Sequence, residues 1–108
     1  MANDITGNRW VFDGATTAGQ ENELLGIHTI IAFFWTEDTA RDIAADDNLV
    51  INDGSGKLIY KKTAAGTPAT APNDASVVIG YPGLQVDGFA VDALDGGILT
   101  VWLAIPYT

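Results

Sequence analysis

The chain contains no cysteine. That absence removes thiol nucleophiles, disulfide frameworks, thiolate-based zinc sites and iron–sulfur clusters together. Histidine is almost as scarce, since His28 is the single one. One imidazole cannot build a multi-histidine metal site, and a serine–histidine couple would have to use this residue. His28 stands near the start of the apolar run 27–35, where a rim or hydrogen-bonded core position is expected. The GxxxxGK[ST] phosphate loop, the GxGxxG dinucleotide fingerprint and the GxSxG nucleophile elbow are all missing from the sequence. Basic residues are few: 5 Lys and Arg stand against 14 Asp and Glu, a net charge of −9. Binding to phosphates rests on clustered Lys and Arg, so nucleic acid is not an expected partner. No apolar run approaches the roughly 20 residues that span a bilayer, so no membrane partner is expected. The opening Met1-Ala2-Asn3-Asp4 is polar and has neither the basic nor the hydrophobic region of a secretory leader. These absences predict a protein made and folded in a cytoplasm, without a cofactor, and a binding or structural module rather than an enzyme.

What the chain does contain is β punctuation. Its 108 residues suit one domain, and a 47% hydrophobic content is enough for a core without disulfides or metal. Asn52-Asp53-Gly54-Ser55-Gly56 separates two apolar runs, 49–51 and 57–60. Asp-Gly between such runs predicts a hairpin, because Gly supplies positive φ. A second hairpin is expected at Asp95-Gly96-Gly97, joining 89–91 to 98–103. In that last strand Leu99, Val101 and Leu103 face one side, Thr100 and Trp102 the other. Residues 27–35 place Ile27, Ile31, Phe33 and Trp35 on one face and Ile30, Ala32 and Phe34 on the other. Their β-branched and aromatic content predicts a central strand, covered on both sides by a second layer or a partner subunit. Further strands are expected at 9–13, 76–81 and 84–86, with Tyr81-Pro82-Gly83 as a turn. Residues 14–19 and 64–72 read as loops, and 38–44 as a helical turn or two capped by Thr36 or Asp38. The fold class is therefore all-β: a compact antiparallel sandwich or barrel, jelly-roll-like, with long loops. The domain plan is an N-terminal arm over residues 1–8 and a single β domain over 9–108. The arm is polar and lacks core signals.

Three groups of residues raise the question of chemistry. Asp42, Asp46, Asp47 and Asn48 offer the hard oxygen donors that Ca²⁺ prefers, but their spacing does not match a calcium loop, and a solvated acidic loop is the simpler account. A glycosidase would need two carboxylates across a cleft, one with a raised pKa, and nothing in the sequence places such a pair. Trp10, Trp35, Trp102, Tyr60, Tyr81 and Tyr107 could supply a stacking platform for sugars. Trp35 and Trp102 lie in the most apolar strands, however, where core packing is expected. Lys57, Lys61 and Lys62 form the one basic cluster of the sequence and read as solubility and edge protection on a strand rim. Contact with an acidic partner surface is the alternative.

The order of three segments resembles that of small virion proteins of tailed phages, the decoration (cement) proteins and related minor structural proteins. Residues 1–10 are similar to the M-A-N-x-I-T-G-N-x-W opening of short phage structural proteins. Residues 49–60 resemble their central hairpin, in which alternating apolar residues lead into Asp, then Gly, then a second apolar run. Residues 87–103 resemble their closing hairpin, G-apolar-x-V-x-x-L-x-x-G-x-L-x-V. The connection 64–74 is longer and richer in Ala, Thr and Pro than that pattern, residues 104–108 extend beyond it, and either could serve as a docking element peculiar to this chain. The resemblance implies a non-enzymatic protein made in the host cytoplasm and carried on the virion, on the capsid exterior. Its partners would be the major capsid protein and further copies of itself, as a dimer or trimer on the shell. A minor tail or fibre protein and a carbohydrate-binding β-sandwich are the rival readings. Candidate partner-binding residues are Ile5, Thr6, Asn8, Arg9, Trp10, Lys61, Lys62, Pro106 and Tyr107.

Overall fold

The computed structural model describes residues 3–37, 43–44, 46–64, 75–80 and 82–104. The strands are β1 (Arg9–Phe12), β2 (Ile27–Thr36), β3 (Asn48–Asn52), β4 (Leu58–Thr63), β5 (Ala75–Val78), β6 (Leu84–Asp87), β7 (Ala90–Leu94) and β8 (Ile98–Leu103), with one helix, α1 (Ala18–Glu23). They form two separate antiparallel sheets. The larger runs β1-β8-β2-β5, with β6 also on β2; the smaller runs β4-β3-β7. The result is a sandwich rather than a closed barrel. The wrapping is jelly-roll-like: first and last strands are neighbours, and the chain crosses repeatedly between sheets.

Alternation explains the core. In the larger sheet Trp10, Val101, Phe33 and Val77 lie in one register row, and Phe12, Leu99, Trp35 and Ala75 in the next. All face inward and all but the half-buried Val77 are buried. Leu49, Ile51, Val91 and Leu94 close on them from the smaller sheet. Aromatic contacts tie the layers together: Phe12 stacks on Phe89 at 5.8 Å, and Phe33 meets the edge of Tyr60 at 5.0 Å. Each fully buried aromatic or aliphatic side chain contributes on the order of 1.5–3 kcal/mol through burial. Trp35, wholly inaccessible, donates its Nε1–H to the Gly96 carbonyl at 2.8 Å, so its polar atom is not left unpaired.

The structure changes the reading of the run 27–35. A bulge at Ile31 shifts the β2–β8 register between Ile30 and Ala32, so Ile30, Phe33 and Trp35 all point into the core although they are not spaced by two. Ile31 is therefore not on the Phe33 face, and the strand is less symmetrically apolar than strict alternation implies. Residues on the far side of β2 from β8 show the same irregularity: β5 and β6 lie along one edge of β2, interrupted opposite Ile31, whose carbonyl accepts N–H groups from both Ile79 and Gly80. Pro82 lies in a turn, as expected, and it separates two stretches, β5 and β6, that run in the same direction along one edge of β2; Tyr81 lies outside the described residues.

Asp95-Gly96-Gly97 does not make a hairpin. β7 pairs with β3 and β8 pairs with β1 and β2, so the segment is a corner between sheets. Gly97 adopts φ +70°, where a Cβ would lie 2.7 Å from Ile43 and 2.8 Å from the Thr36 carbonyl oxygen. Glycine is needed for a corner this tight, and the same dipeptide signal serves either geometry. The Asn52–Gly56 hairpin forms as expected between β3 and β4. Asp53 closes it, accepting N–H groups from Ser55 and Lys57 and the Ser55 hydroxyl. Those bonds, that from Lys57 foremost, hold its carboxyl below the ordinary value of 3.8.

Residues 18–19, read as loop, begin helix α1. The signal was present: Thr17-x-x-Gln20 is a capping box, with Thr17 accepting from the Gln20 N–H and the Gln20 side chain accepting from the Thr17 N–H. Of the helical turn expected at 38–44, residues 38–42 lie outside the described residues, while Ile43 is fully buried. The loop 64–72 is described only at Ala64, which is buried.

The described part of the N-terminal segment is not a free arm. Asp4 and Val11 exchange both backbone hydrogen bonds, at 2.7 and 2.8 Å, and Ile5 packs against the core. Asn3 accepts from the Asp13 N–H and donates to Ala15 and Gln20. The reversal is local chemistry: Thr6 donates its hydroxyl and N–H to the Asp4 carboxylate, and Gly7 takes φ +70°. A polar composition concealed a covering strand-end, because the bonds are made by backbone and short polar side chains.

Candidate interaction surface

The outer face of the larger sheet is built by the residues that alternate with the core rows. Arg9, Trp102, Ala32 and Val78 form one register row across β1, β8, β2 and β5, and Val11, Thr100, Phe34 and Ser76 form the next. Asp4 extends the second row through its pairing with Val11. A shallow depression is lined by Asp4, Arg9, Val11, Phe34, Thr36, Thr100 and Trp102. Trp102 is 41% exposed and Val78 72% exposed, whereas Phe34 and Val11 are half-buried. The Arg9 guanidinium lies over the Trp102 ring, 5.6 Å from its centroid, a cation–π placement that holds the indole in a defined orientation. Thr6 is the main cause keeping the Asp4 carboxyl below 3.8, through its hydroxyl and then its N–H; Arg9 adds a smaller electrostatic effect. The rim thus carries one fixed negative and one fixed positive charge around an apolar floor.

The expected partner-binding residues fall in different places. Arg9 is exposed at the rim. Thr6 is exposed but engaged with Asp4, and Asn8 is exposed with its carbonyl accepting the Leu103 N–H. Ile5 is half-buried against the core. Trp10 lies in the core and not on the surface: only 3% exposed, it meets His28 at 4.9 Å and Phe89 at 5.2 Å, because β1 alternation turns it inward. Lys61 and Lys62 lie on β4 in the smaller sheet, away from the Arg9–Trp102 row; Lys61 is exposed and Lys62 half-buried. Pro106 and Tyr107 lie outside the described residues. Trp102, expected in the core, is the correction on the other side. The signal was the alternation itself, which sets Trp102 opposite to Leu99, Val101 and Leu103, and apolar neighbours in sequence obscured it.

His28 is a half-buried rim residue whose Nε2–H donates to the Leu24 carbonyl at 2.8 Å. Among the described residues with oxygen donors suggested for calcium, Asp47 accepts from the Ala44 N–H and Asn48 accepts from the Thr63 hydroxyl; Asp42 lies outside the described residues. Among the described residues, no three His, Asp or Glu side chains group as metal ligands, and no helix is long and apolar enough to cross a membrane.

Fold and surface together define an all-β, two-sheet module with an aromatic outer face. No family model, curated protein or solved structure matches the chain.

Proposed function

We propose that the chain is a non-enzymatic decoration (cement) protein of a tailed-phage particle, seated on the outside of the major capsid protein shell through the Arg9–Trp102 face. The observation that carries this reading is the meeting of two of the three segments that resemble phage virion proteins. Residues 1–10 end in β1 and residues 87–103 end in β8, and these strands pair with Arg9 opposite Trp102. An exposed Trp held by an Arg on a rigid sheet is the residue pair from which interface hot spots are commonly built. The net charge of −9 keeps such a protein soluble before assembly and off the packaged genome.

The test is binding of the purified protein to empty shells of the corresponding phage, followed by co-sedimentation. Trp102→Ala should weaken binding at least tenfold while leaving the melting temperature within a few degrees. Equal binding by the variant, or a copy number of a few per particle instead of hundreds, would overturn the assignment, the latter in favour of a tail or fibre location. Thr36 and Thr100 line the same depression as the exposed indole, and their hydroxyls also suit a sugar platform. Glycan-induced quenching of tryptophan fluorescence that disappears in Trp102→Ala would favour that second reading.

A further inference from the structure

The sheets of this sandwich have four lateral edges, and three are protected. Asp4 pairs with Val11 on the β1 edge. On the β7 edge, Thr16 donates its N–H to the Val91 carbonyl, and its hydroxyl accepts the Val91 N–H. The β4 edge carries Lys61 and Lys62, flanked by Lys57, and lysine is a common device against strand addition. The fourth edge, β5, has neither cover nor lysine among the described residues.

Its backbone phase follows from one bond. Ile79 donates to the Ile31 carbonyl at 2.9 Å, so by antiparallel alternation Val77 also bonds toward β2. Ser76 and Val78 therefore direct their N–H and C=O groups away from the sheet. The sequence from Ala75 to Val86 carries no charged residue, in a chain of net charge −9. A partner chosen by charge complementarity would be met by a charged edge. Self-pairing about a two-fold axis instead requires that no charge oppose its own copy, which this edge satisfies.

We propose that two copies of this chain pair antiparallel through β5, with Val77 opposite Val77 of the second copy. In that register Ser76 and Val78 of each copy exchange both backbone hydrogen bonds with Val78 and Ser76 of the other, satisfying every outward group of the two residues. The two larger sheets become one sheet eight strands wide. Their outer faces also become continuous, since Val78 ends the row that begins at Arg9. The pairing holds whether or not the partner of that face is a capsid. Each copy repels the other through its net charge, so added salt strengthens the dimer, opposite to an interface held by ion pairs.

Sedimentation velocity over a concentration series reaching the millimolar range, in low and high salt, tests this. The wild-type mass should rise from 11.4 kDa toward twice that value, and at lower concentration in high salt. Val78→Pro removes an outward N–H without touching the β2 ladder and should weaken association at least tenfold with an unchanged circular dichroism spectrum. Val78→Glu, at a position 72% exposed, should do the same by like-charge repulsion and covers the case in which proline perturbs folding. A monomer at every concentration and salt, a limiting mass above a dimer, or undiminished dimerisation of folded Val78→Glu would overturn the proposal.

Discussion

Two glycines with the same backbone sign make a controlled measurement of backbone contact. Gly88 (φ +81°) and Gly7 (φ +70°) both occupy the left-handed region, but their surroundings differ. A Cβ on Gly7 would meet nothing within 4 Å, whereas one on Gly88 would lie 2.5 Å from the Gly54 Cα and 2.7 Å from its N. That approach joins three loops: Gly54 donates to the Asp87 carbonyl at 2.9 Å, and Gly88 to the Gly26 carbonyl at 2.6 Å. In Gly7→Ala the left-handed strain of about 1–2 kcal/mol is partly offset by a less flexible unfolded chain, leaving a loss of about 1 kcal/mol. Gly88→Ala carries the same strain and adds overpacking of about 1–3 kcal/mol against atoms that cannot rotate away. The expected total is roughly 2–4 kcal/mol, a large share of the ~5–15 kcal/mol typical of a domain. Melting should fall by about 10 °C or more. Urea unfolding followed by tryptophan fluorescence measures both variants. A Gly88→Ala loss within ~0.5 kcal/mol of the Gly7→Ala loss, close to the limit of additivity measurements, would refute the close approach of the β3–β4 turn to residue 88.

Trp35→Phe should cost roughly 2–4 kcal/mol in the same urea assay, from lost packing volume and from a Gly96 carbonyl left without its buried donor; a loss below ~1 kcal/mol would contradict that hydrogen bond. For Asp4 and Asp53, hydrogen bonds lower the folded-state pKa from 3.8. Each therefore contributes stability that is present above that ordinary value and lost as pH falls below it through the folded value. Stability measured from pH 6 to pH 2.5 should fall less steeply below about pH 4 in Asp4→Asn/Asp53→Asn than in the wild type, since Asn preserves turn-forming acceptors without titrating. Identical slopes would refute the role assigned to these carboxylates.

Strand positions were legible because burial follows a period of two, and residues 98–103 show it without interruption. The all-β sandwich follows from such segments and from the turn residues between them. What escaped is what a periodic pattern does not encode. The Ile31 bulge changes which residues of β2 share a face, and nothing in Ile30-Ile31-Ala32 distinguishes a bulge from regular strand. Asp95-Gly96-Gly97 specifies a tight change of direction but not whether the next strand returns to the same sheet. The N-terminal covering segment is held by Asn3, Asp4 and Thr6, whose bonds are local and polar, so its polarity did not separate it from a solvated arm. For the interaction surface, Arg9 was legible as a charged residue in an otherwise apolar strand. Trp10 and Trp102 exchanged places relative to expectation: one faces the core and the other faces outward. Alternation contained that answer, but only pairing of β1 with β8 reveals Arg9 and Trp102 as neighbours.

That pairing has a consequence for timing. β1 and β8 belong to opposite extremes of the sequence, so the Arg9–Trp102 contact closes a loop of nearly the whole chain. Contacts of such separation are late and slow to form. Until β8 docks between β1 and β2, the arginine and the indole are unrelated groups on the chain, and the outer face they share does not exist. The Arg9–Trp102 face is thereby assembled in the same step that completes the fold.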